Sequence, residues 1–264
     1  MSTSLIITTY NWSAALNVVL ASVEKQSCLP DEVIIADDGS TAETRELIAR
    51  LATDFPVPLV HSWHEDKGFR LSTSRNRAIR LAKHEYIIMI DGDMVLHPHF
   101  VADHLAIAEP DCLVTGKRIK MGPKLSSKVL SGMSQPSLLS RGIARGRKLA
   151  LRSQWLSQRC GWGQPDSVEG IHGCNLGFWR QDALAINGFN EAFEGWGPED
   201  KEFALRMFHN GKWRKRVKFY AVAFHLHHKE SCRQQLEVNS QLFHSTLKNK
   251  SIRCAQGIAE LPSL

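Results

Sequence analysis

The sequence predicts an α/β domain whose central sheet is mostly parallel and is flanked by helices. Two observations lead to this prediction. Short runs rich in β-branched residues alternate with helical patterns through the first half of the chain, an order typical of βαβ units. The chain has 264 residues and is 43% hydrophobic, which is enough for one large domain, or for a domain with a smaller lobe, around a substantial core.

Four strands are predicted before residue 92. They are residues 4–9 ("SLIITT"), 32–37 ("EVIIAD"), 57–63 ("VPLVHSW") and 86–91 ("YIIMID"). Each is short and apolar enough to be covered on both faces. Helical patterns occupy the intervals, at residues 14–26, 41–54 and 72–84, with a Ser-Thr cap signal before the second. In such sheets ligands bind beyond the carboxyl ends of the strands.

Polar residues follow three of these strands. The first ends in "TTYN" (8–11), the second in "DDGS" (37–40) and the fourth in "DGD" (91–93). Asp91 and Asp93 can converge on one divalent cation, and their hard oxygen ligands suit Mg²⁺ or Mn²⁺. Each motif alone also fits a solvated turn or a turn with a helix cap. Three polar strand ends in one βαβ series favour a binding site.

The basic residues are concentrated in one segment. The net charge is +6, yet the stretch between Cys112 and Pro165 holds eleven Lys or Arg and no Asp or Glu, so the remainder of the chain is net acidic. The region 117–159 is either a lid or amphipathic surface that meets anionic lipid or phosphorylated glycan, or a solvated excursion from the fold. No nucleic-acid-binding motif accompanies the charge, so no nucleic-acid partner is expected.

The six cysteines and the N-terminus bear on cellular location. No C-x-x-C pair is present, which argues against a zinc site and a disulfide framework, so free thiols are expected. The sequence shows no basic stretch followed by a long apolar run and no membrane-length apolar segment. The expected location is the cytoplasm, with peripheral attachment to the inner face of the plasma membrane.

Taken together, the motifs resemble those of a known family. "TTYN", "ADDGS", "SRNRAI" and "IDGDM" stand in the order and approximate spacing of family 2 glycosyltransferases with the GT-A fold. Residues 173–207 ("GCNLGFWRQDALAINGFNEAFEGWGPEDKEFALRM") resemble the acceptor-side segment of the β-galactosyltransferase-type C-terminal region, and "AFHLHH" (223–228) resembles its later metal-binding histidine segment. The resemblance covers roughly residues 4–230.

The resemblance implies three parts of one GT-A domain. Residues 1–115 form the half that binds the nucleotide sugar, residues 116–165 a basic insertion or lid, and residues 166–264 the acceptor-binding half with the catalytic base and a C-terminal helical tail. In the first part Asp38, with Asp37 beside it, would hold uracil and ribose. The implied donor-binding residues are Thr8, Tyr10, Asn11, Asp37, Asp38, Arg70, Arg75 and Asp91. For Arg75 a solvated helix face is the alternative.

The resemblance also implies a bound Mn²⁺ or Mg²⁺. Asp93 would ligate the ion, and Asp91 would contact it through water or hold the ribose. A histidine supplies the third ligand; the register of the motif favours His225, with His228 second, and His227 is also available. The ion would stabilise charge on the departing diphosphate.

On the acceptor side, the resemblance implies that Asp200 is the catalytic base. It stands with Glu199 in the first turn of a predicted helix, where the helix dipole favours carboxylate anions. Glu199 would assist acceptor binding, and Trp196 with Gly197 would form a wall of the acceptor pocket. Pro198 departs from the family, which often has a second glycine there. His172 and Asn175 in "HGCN" either contact a sugar or belong to a strand start packed by Cys174.

The implied reaction is a single in-line displacement that inverts the anomeric carbon. A hexose or N-acetylhexosamine would pass from a UDP-sugar to a saccharide or lipid-linked saccharide, in bacterial lipopolysaccharide, capsule or other surface polysaccharide biosynthesis.

Two other classes of function are alternatives to a glycosyltransferase. A sugar-nucleotide nucleotidyltransferase would be indicated by a Gly-rich phosphate loop and a following lysine near the first strand, and the sequence has none. A non-catalytic carbohydrate-binding module would have no need of Asp38 or of the 91–93 carboxylates.

Overall fold

The β-branched runs of the N-terminal half form four adjacent parallel strands in the computed structural model, which describes residues 1–160, 166–229 and 232–262. The strands are β1 (Thr3–Thr9), β2 (Glu32–Asp37), β3 (Leu59–Trp63) and β4 (Tyr86–Asp91). β1 pairs with β2 on one side and with β4 on the other, and β3 extends the sheet beyond β2. Because β1 and β2 are buried along their whole length, they are apolar on both faces.

Three helices connect these strands and cover both faces of the sheet. They are α1 (Ser13–Val23), α2 (Ala42–Ala52) and α3 (Leu71–Leu81). On one face Ile7 of β1 belongs to the same buried cluster as residues of α1 and α2. On the other face the adjacent residue, Ile6, clusters with Ala78 and Ile79 of α3. The alternation of side chains along a strand thus gives each face its own core.

Three strands later in the chain complete the sheet. They are β6 (Cys112–Thr115), β9 (Asn175–Trp179) and β10 (Trp213–Arg216). β9 lies antiparallel between β4 and β6, and β10 pairs in parallel with β6. Within the described residues the order is β10-β6-β9-β4-β1-β2-β3. The predicted fold class, an α/β domain with a mostly parallel central sheet, is confirmed.

A second, smaller sheet lies beside the end of β4. Its strands are β5 (Met94–Leu96), β7 (Ile119–Met121), β8 (Ile143–Arg145) and β11 (Ala223–His225), in the order β5-β11-β7-β8. The antiparallel pairing of β11 with β5 sets His225 opposite Met94. This pairing brings the late histidine segment next to the carboxylates that follow β4.

The remaining helices lie mainly in the second half. They are α4 (Phe100–Ile107), α5 (Pro123–Leu130), α6 (Gln154–Cys160), α7 (Arg180–Ala185), α8 (Glu199–His209) and α9 (Leu236–Asn249), with 3₁₀ turns at Arg147–Ala150 and Ile258–Glu260. About half of the predicted basic segment, 116–165, has regular structure, and Leu125 and Val129 of α5 pack in a cluster with Phe224. The start of the segment is therefore packed onto the fold, whereas Met133 and Leu139 are largely exposed; residues 161–165 lie outside the described part.

Two further observations concern the cysteines and the helices. All six cysteines are free thiols, of which Cys112, Cys174 and Cys254 are buried. Burial raises the pKa of the Cys112 thiol to about 12, which disfavours the reactive thiolate. Of the helices in the described ranges, none combines the length and the apolar character needed to cross a bilayer.

Candidate active site

The carboxyl ends of β1, β2 and β4 border one cleft. Sheet register sets Thr8 opposite Asp91, and the Thr8 hydroxyl donates a hydrogen bond of 3.1 Å to that carboxylate. The residues lining this donor cleft are Thr8, Thr9, Tyr10, Trp12, Asp38, Phe69, Leu71, Asp91, Gly92, Asp93 and His228. A Cβ at Gly92 would lie 2.4 Å from the carbonyl oxygen of Thr8. Only glycine therefore allows β1 and the 91–93 turn to approach so closely.

The two carboxylates after β2 have different surroundings. Asp38 lines the donor cleft and accepts a hydrogen bond from the Arg70 backbone N–H at 3.0 Å. Asp37 is fully buried and lies 2.8 Å from both the Ser40 N–H and the His61 imidazole. Burial alone would raise the pKa of Asp37, but these hydrogen bonds hold it below the ordinary value. Asp37 thus differs from expectation: it fixes the loop after β2 and does not line the cleft.

Three other residues predicted to bind the donor, Tyr10, Asn11 and Arg70, differ in what their side chains contact. The Tyr10 side chain borders the cleft, and its hydroxyl donates to Asp66 at 3.0 Å. Asn11 instead uses its side-chain oxygen to accept the Thr41 N–H at 2.9 Å, so it ties the end of β1 to the start of α2. The Arg70 guanidinium, expected to face the nucleotide, pairs with Glu194 at 2.6 Å.

Asp93, His225 and His228 form a cluster that could hold a metal ion. The two imidazole Nε2 atoms lie 3.1 Å and 3.0 Å from Asp93 Oδ2, and 3.4 Å from each other. One ligand atom from each residue lies within 4.8 Å of the others. Burial lowers the pKa of His225, whereas the hydrogen bond to Asp93 raises the pKa of His228.

The composition of this cluster fits a divalent cation. A carboxylate and two imidazoles are metal ligands in proteins, and among the described residues Asp93 Oδ1 is buried with no hydrogen-bond partner. His227 and Asp91 are not members of the cluster. The His227 N–H donates to Ser126, and Asp91 is held by Thr8 and Arg75.

Arg75 joins the donor side to the start of α8. Its side chain, on α3, is 2% exposed, with Nη2 at 3.4 Å from Asp91 and Nη1 at 3.2 Å from Glu199. The guanidinium also lies over the Phe189 ring, 5.0 Å from its centre. Arg75 is therefore neither on a solvated helix face nor directed at open cleft; it neutralises two carboxylates that belong to opposite halves of the chain.

Glu199 and Asp200 lie side by side, both partly buried, at the start of α8. Asp200 Oδ2 accepts the Gly173 N–H at 2.8 Å, and Oδ1 accepts the Lys201 N–H at 2.7 Å. Burial, together with the adjacent charge of Asp200, raises the pKa of Glu199 to about 7. Burial also raises the pKa of Asp200, while Arg75 and the backbone N–H groups oppose that rise. Carboxylates with raised pKa values are suited to accepting a proton near neutral pH.

The turn before α8 is held by α9. The Asn239 side-chain amide donates to the Glu194 and Trp196 carbonyls at 2.9 Å and 3.0 Å. A Cβ at Gly197 would lie 2.6 Å from Asn239 Cβ, so the close approach requires glycine. With the turn held in this way, the Trp196 ring lies at the surface of the site and is 36% exposed.

His172 and Asn175, the two residues expected to contact a sugar, have different locations. Burial and the nearby cations Arg118 and Lys117 lower the pKa of His172 to about 4, so it is a neutral imidazole at pH 7. Asn175 is 0% exposed, and its side chain bonds His104 and the backbone carbonyls of Lys117 and Ala221. Asn175 therefore fits the second of the two alternatives for "HGCN", a strand start: it is the first residue of β9 and fastens that strand to its neighbours.

A second cleft lies on the other side of the histidines, and most of its residues were not predicted from the sequence. It is lined by Arg118, Lys120, Met121, Trp196, His225, Leu226, His227, His228 and Arg233. The basic run that contains Arg118 and Lys120 was noted as a segment, but no local signal ties it to Trp196. In the donor cleft, Trp12 was also missed although it directly follows "TTYN".

Comparison with protein families gives two adjacent matches. Residues 4–156 match glycosyl transferase family 2. Residues 158–229 match a second family, described as the N-terminal domain of galactosyltransferase. The boundary between them falls near the end of the basic segment, so the donor cleft lies mainly in the first match and α8 with the histidines in the second.

Curated relatives include polysaccharide synthases. The chain is 28% identical over 229 residues to a hyaluronan synthase of Pasteurella multocida, a match to 81% of this chain and 23% of that protein. It is 28% identical over 243 residues to a chondroitin synthase of Escherichia coli, covering 84% of this chain and 34% of that protein. The chain therefore spans about a quarter to a third of the length of these synthases.

Solved structures show the same fold at low sequence identity. Staphylococcus aureus TarS 1-349 in complex with UDP-GlcNAc has a TM-score of 0.62 and 16% identity over 98% of this chain and 69% of that chain. The mannosyltransferase PcManGT from Pyrobaculum calidifontis, in complex with GDP-Man and Mn²⁺, has a TM-score of 0.60 and 20% identity over 97% of this chain and 65% of that chain.

Proposed function

The chain belongs to glycosyltransferase family 2 and so transfers a sugar; we propose that the sugar is a hexose or N-acetylhexosamine, that its donor is a UDP-sugar, and that transfer to a saccharide acceptor is metal-dependent and inverting. One observation carries this proposal. The Asp93–His225–His228 cluster borders a cleft with Asp38 and Thr8 on its wall, and the paired carboxylates Glu199 and Asp200 are linked to that cleft through Arg75.

The donor cleft supports a nucleoside diphosphate sugar as ligand. Asp38 and Thr8 offer oxygen acceptors and a hydroxyl for base and ribose, and the half-exposed Tyr10 ring offers a face for stacking. A structural neighbour carries UDP-GlcNAc and another GDP-Man. Between these two donors, the UDP-sugar is preferred because the residue pattern 37–40 matches the uracil-binding motif of the family.

Asp93, His225 and His228 would hold Mn²⁺ or Mg²⁺. When bound, such an ion stabilises the negative charge of a departing diphosphate. The protein itself supplies the cation that neutralises the nearby carboxylates. Arg75 neutralises Asp91 and Glu199, which keeps these two acidic side chains close together at the boundary between donor and acceptor.

Asp200 is proposed as the group that takes the acceptor proton. Its two oxygens are oriented by the Gly173 and Lys201 N–H groups, and its raised pKa makes it a stronger base than a surface aspartate. With a base for the acceptor and no covalent nucleophile assigned, one displacement inverts the anomeric carbon. An α-linked UDP-sugar would therefore give a β-glycoside.

The cellular role is proposed to be surface polysaccharide synthesis, such as lipopolysaccharide or capsule. Its support is the similarity to hyaluronan and chondroitin synthases. The acceptor would be a saccharide or lipid-linked saccharide at the cytoplasmic face of the plasma membrane. The exposed cations of residues 124–148 would contact anionic lipid there.

The test is nucleoside diphosphate release from a panel of UDP-sugars and GDP-mannose, with Mn²⁺ or with EDTA. We expect UDP release from at least one UDP-sugar with Mn²⁺ and none with EDTA. Release that ignores EDTA, release from GDP-mannose alone, or release of pyrophosphate would contradict the proposal. Asp93→Ala should abolish the activity, whereas Asp54→Ala, an exposed carboxylate at the end of α2, is the matched control and should retain it.

A further inference from the structure

The described side chains that line the second cleft include several cations. Its lining includes three cationic side chains, Arg118, Lys120 and Arg233, and no described residue that lines it is acidic. Cations gathered in a partly buried cleft repel one another, and an anionic ligand relieves that repulsion. A cleft of this composition is therefore suited to an anion.

The three cations come from two parts of the chain, β7 with the residue before it and the segment before α9. Arg118 and Lys120 stand two residues apart at β7, so their side chains project to the same face, and both are half-buried. Among the described residues, the Lys120 side chain forms no hydrogen bond or ion pair. The Arg233 guanidinium lies over the Trp196 ring, 4.8 Å from its centre, which holds a charge against the exposed aromatic face.

The charge extends to the neighbouring imidazole. Besides burial, the cations that lower the pKa of His172 are Arg118, Lys117, Lys201 and Lys120. Four positive side chains thus act on one group between β7 and α8. The low pKa also leaves His172 neutral at pH 7, able to accept or donate a hydrogen bond without adding a further charge.

The second cleft is on the acceptor side of the site. It shares only His228 with the donor cleft. Trp196 on its wall belongs to the turn that leads into Glu199 and Asp200. A ligand against Trp196 would therefore lie at the turn from which α8 and the proposed base begin, while the nucleotide is proposed to occupy the donor cleft.

We propose that the second cleft binds an anionic group of the acceptor saccharide, a carboxylate or a phosphate, through Arg118, Lys120 and Arg233, with the sugar ring against Trp196. This inference rests on the proposed function, because it assumes that Asp200 activates an acceptor hydroxyl. It adds the chemical class of that acceptor: a saccharide that carries negative charge at or next to the residue that is extended.

The experiment compares acceptor binding while the donor cleft is filled. Calorimetry would be carried out on the full chain saturated with UDP and Mn²⁺. The probes are three disaccharides of equal size, ending in glucuronate, in glucose 6-phosphate or in glucose. Because hydrogen bonds to charged groups are worth more than neutral ones, we expect at least one charged probe to bind about tenfold more tightly than the neutral probe. The preferred charged probe identifies carboxylate or phosphate as the source.

Substitutions in and outside the cleft locate the effect. Lys120→Gln and Arg233→Gln should each reduce the preference for the charged probe severalfold. Lys128→Gln, an exposed lysine on α5 outside the cleft, should leave the preference unchanged. Thermal melting of each variant verifies folding, and the wild-type comparison of the three probes stands even if one variant does not fold.

The possible failures are distinguishable. If wild type binds UDP with Mn²⁺ but binds the three probes equally, or binds none of them, the anionic subsite is refuted while the proposed function stands. If Lys120→Gln and Arg233→Gln weaken UDP binding and leave the probes unaffected, the cations serve the donor diphosphate and the inference is overturned. If wild type shows no Mn²⁺-dependent UDP binding, the proposed function fails and this inference fails with it.

Discussion

The two sides of the site are built in different ways. The donor side consists of the ends of β1, β2 and β4, adjacent parallel strands whose register alone places Thr8 opposite Asp91. The acceptor side combines α8, the second cleft and the end of β11, which are far apart in the sequence and meet through antiparallel pairings such as β11 with β5. A parallel sheet aligns its polar strand ends automatically, whereas the acceptor side depends on long-range pairing.

The two sides also differ in charge. The donor side presents Asp38, Asp91 and Asp93, and the second cleft presents Arg118, Lys120 and Arg233. The boundary between them contains the histidine pair and the buried Arg75. Under the proposed function, this difference predicts that a diphosphate reaches the acidic side with a metal ion, while an anionic acceptor needs no such ion on the basic side.

The largest expected effect separates the base from donor binding. Asp200→Asn should lower transfer by about 10² to 10⁴, the usual cost of removing a general base, with UDP affinity near normal because Asp200 is not on the donor cleft wall. Initial rates and calorimetry with UDP and Mn²⁺ measure the two quantities. More than a tenth of wild-type activity in Asp200→Asn, or a larger loss in Glu199→Gln, would assign the base to Glu199.

The next effect tests the boundary between the two sides. His225→Ala and His228→Ala should each weaken Mn²⁺-dependent UDP binding by about 10- to 100-fold, a range typical of damage to a metal site. His227→Ala is the matched control, since its imidazole is not part of the cluster, and should retain UDP affinity. Calorimetry with and without Mn²⁺ gives the result; equal losses in all three variants would show that the histidines act through folding and not as ligands.

The contrast between the two sides explains what the sequence could predict. The four strand ends, and the α/β class, follow from local patterns because βαβ units place consecutive strands side by side. The sequence left Asn175 between a sugar contact and a strand start because its neighbours His104 and Ala221 come from α4 and the approach to β11, which no local pattern shows. Asp37 differs from Asp38 only in the direction of its side chain, since successive residues on a strand face opposite sides.

The location of Arg75 could not be predicted for a related reason. Its helix was expected from apolar spacing, yet the burial of a charged side chain in it depends on Glu199, more than a hundred residues later. Buried charges are tolerated where they are paired, and pairing is a property of the folded chain. The same holds for the second cleft, whose Arg118 and Trp196 come from different family matches.

The pH dependence of transfer should report the coupled carboxylates of the acceptor side. Burial and the charge of Asp200 raise the pKa of Glu199 to about 7, so the pair holds a proton at higher pH than surface carboxylates do. Because the base must be deprotonated, kcat/KM should fall about tenfold per pH unit below an apparent pKa near that value. Glu199→Gln removes the like charge and should move the midpoint to lower pH, by about one unit.

This pH profile is measured between pH 5 and 9 at saturating Mn²⁺, so that titration of the histidines does not dominate. The control is Glu65→Gln, an exposed carboxylate that should leave the midpoint unchanged. A midpoint that stays fixed, or rises, in Glu199→Gln would show that the acceptor-side pair is not the titrating group and would favour the metal cluster of the boundary.

The smallest expected effect distinguishes the exposed cations from those of the second cleft. Lys128 and Arg145 are exposed, and nearby apolar side chains are exposed as well, with Met133 at 74%, Leu139 at 87% and Trp155 at 63%, a combination typical of surfaces that contact anionic lipid. A cation near a membrane surface contributes about 1 kcal/mol, so Lys128→Gln should weaken sedimentation with phosphatidylglycerol vesicles about fivefold. The half-buried Lys120 should contribute little, and Lys120→Gln is the matched control.

Salt should weaken the binding to vesicles further, since surface charges are screened over roughly 10 Å at 0.1 M. If vesicles fail to bind at low salt, or if Lys120→Gln weakens binding as much as Lys128→Gln, the exposed basic region does not attach the enzyme to lipid, and its charge belongs to the acceptor side alone.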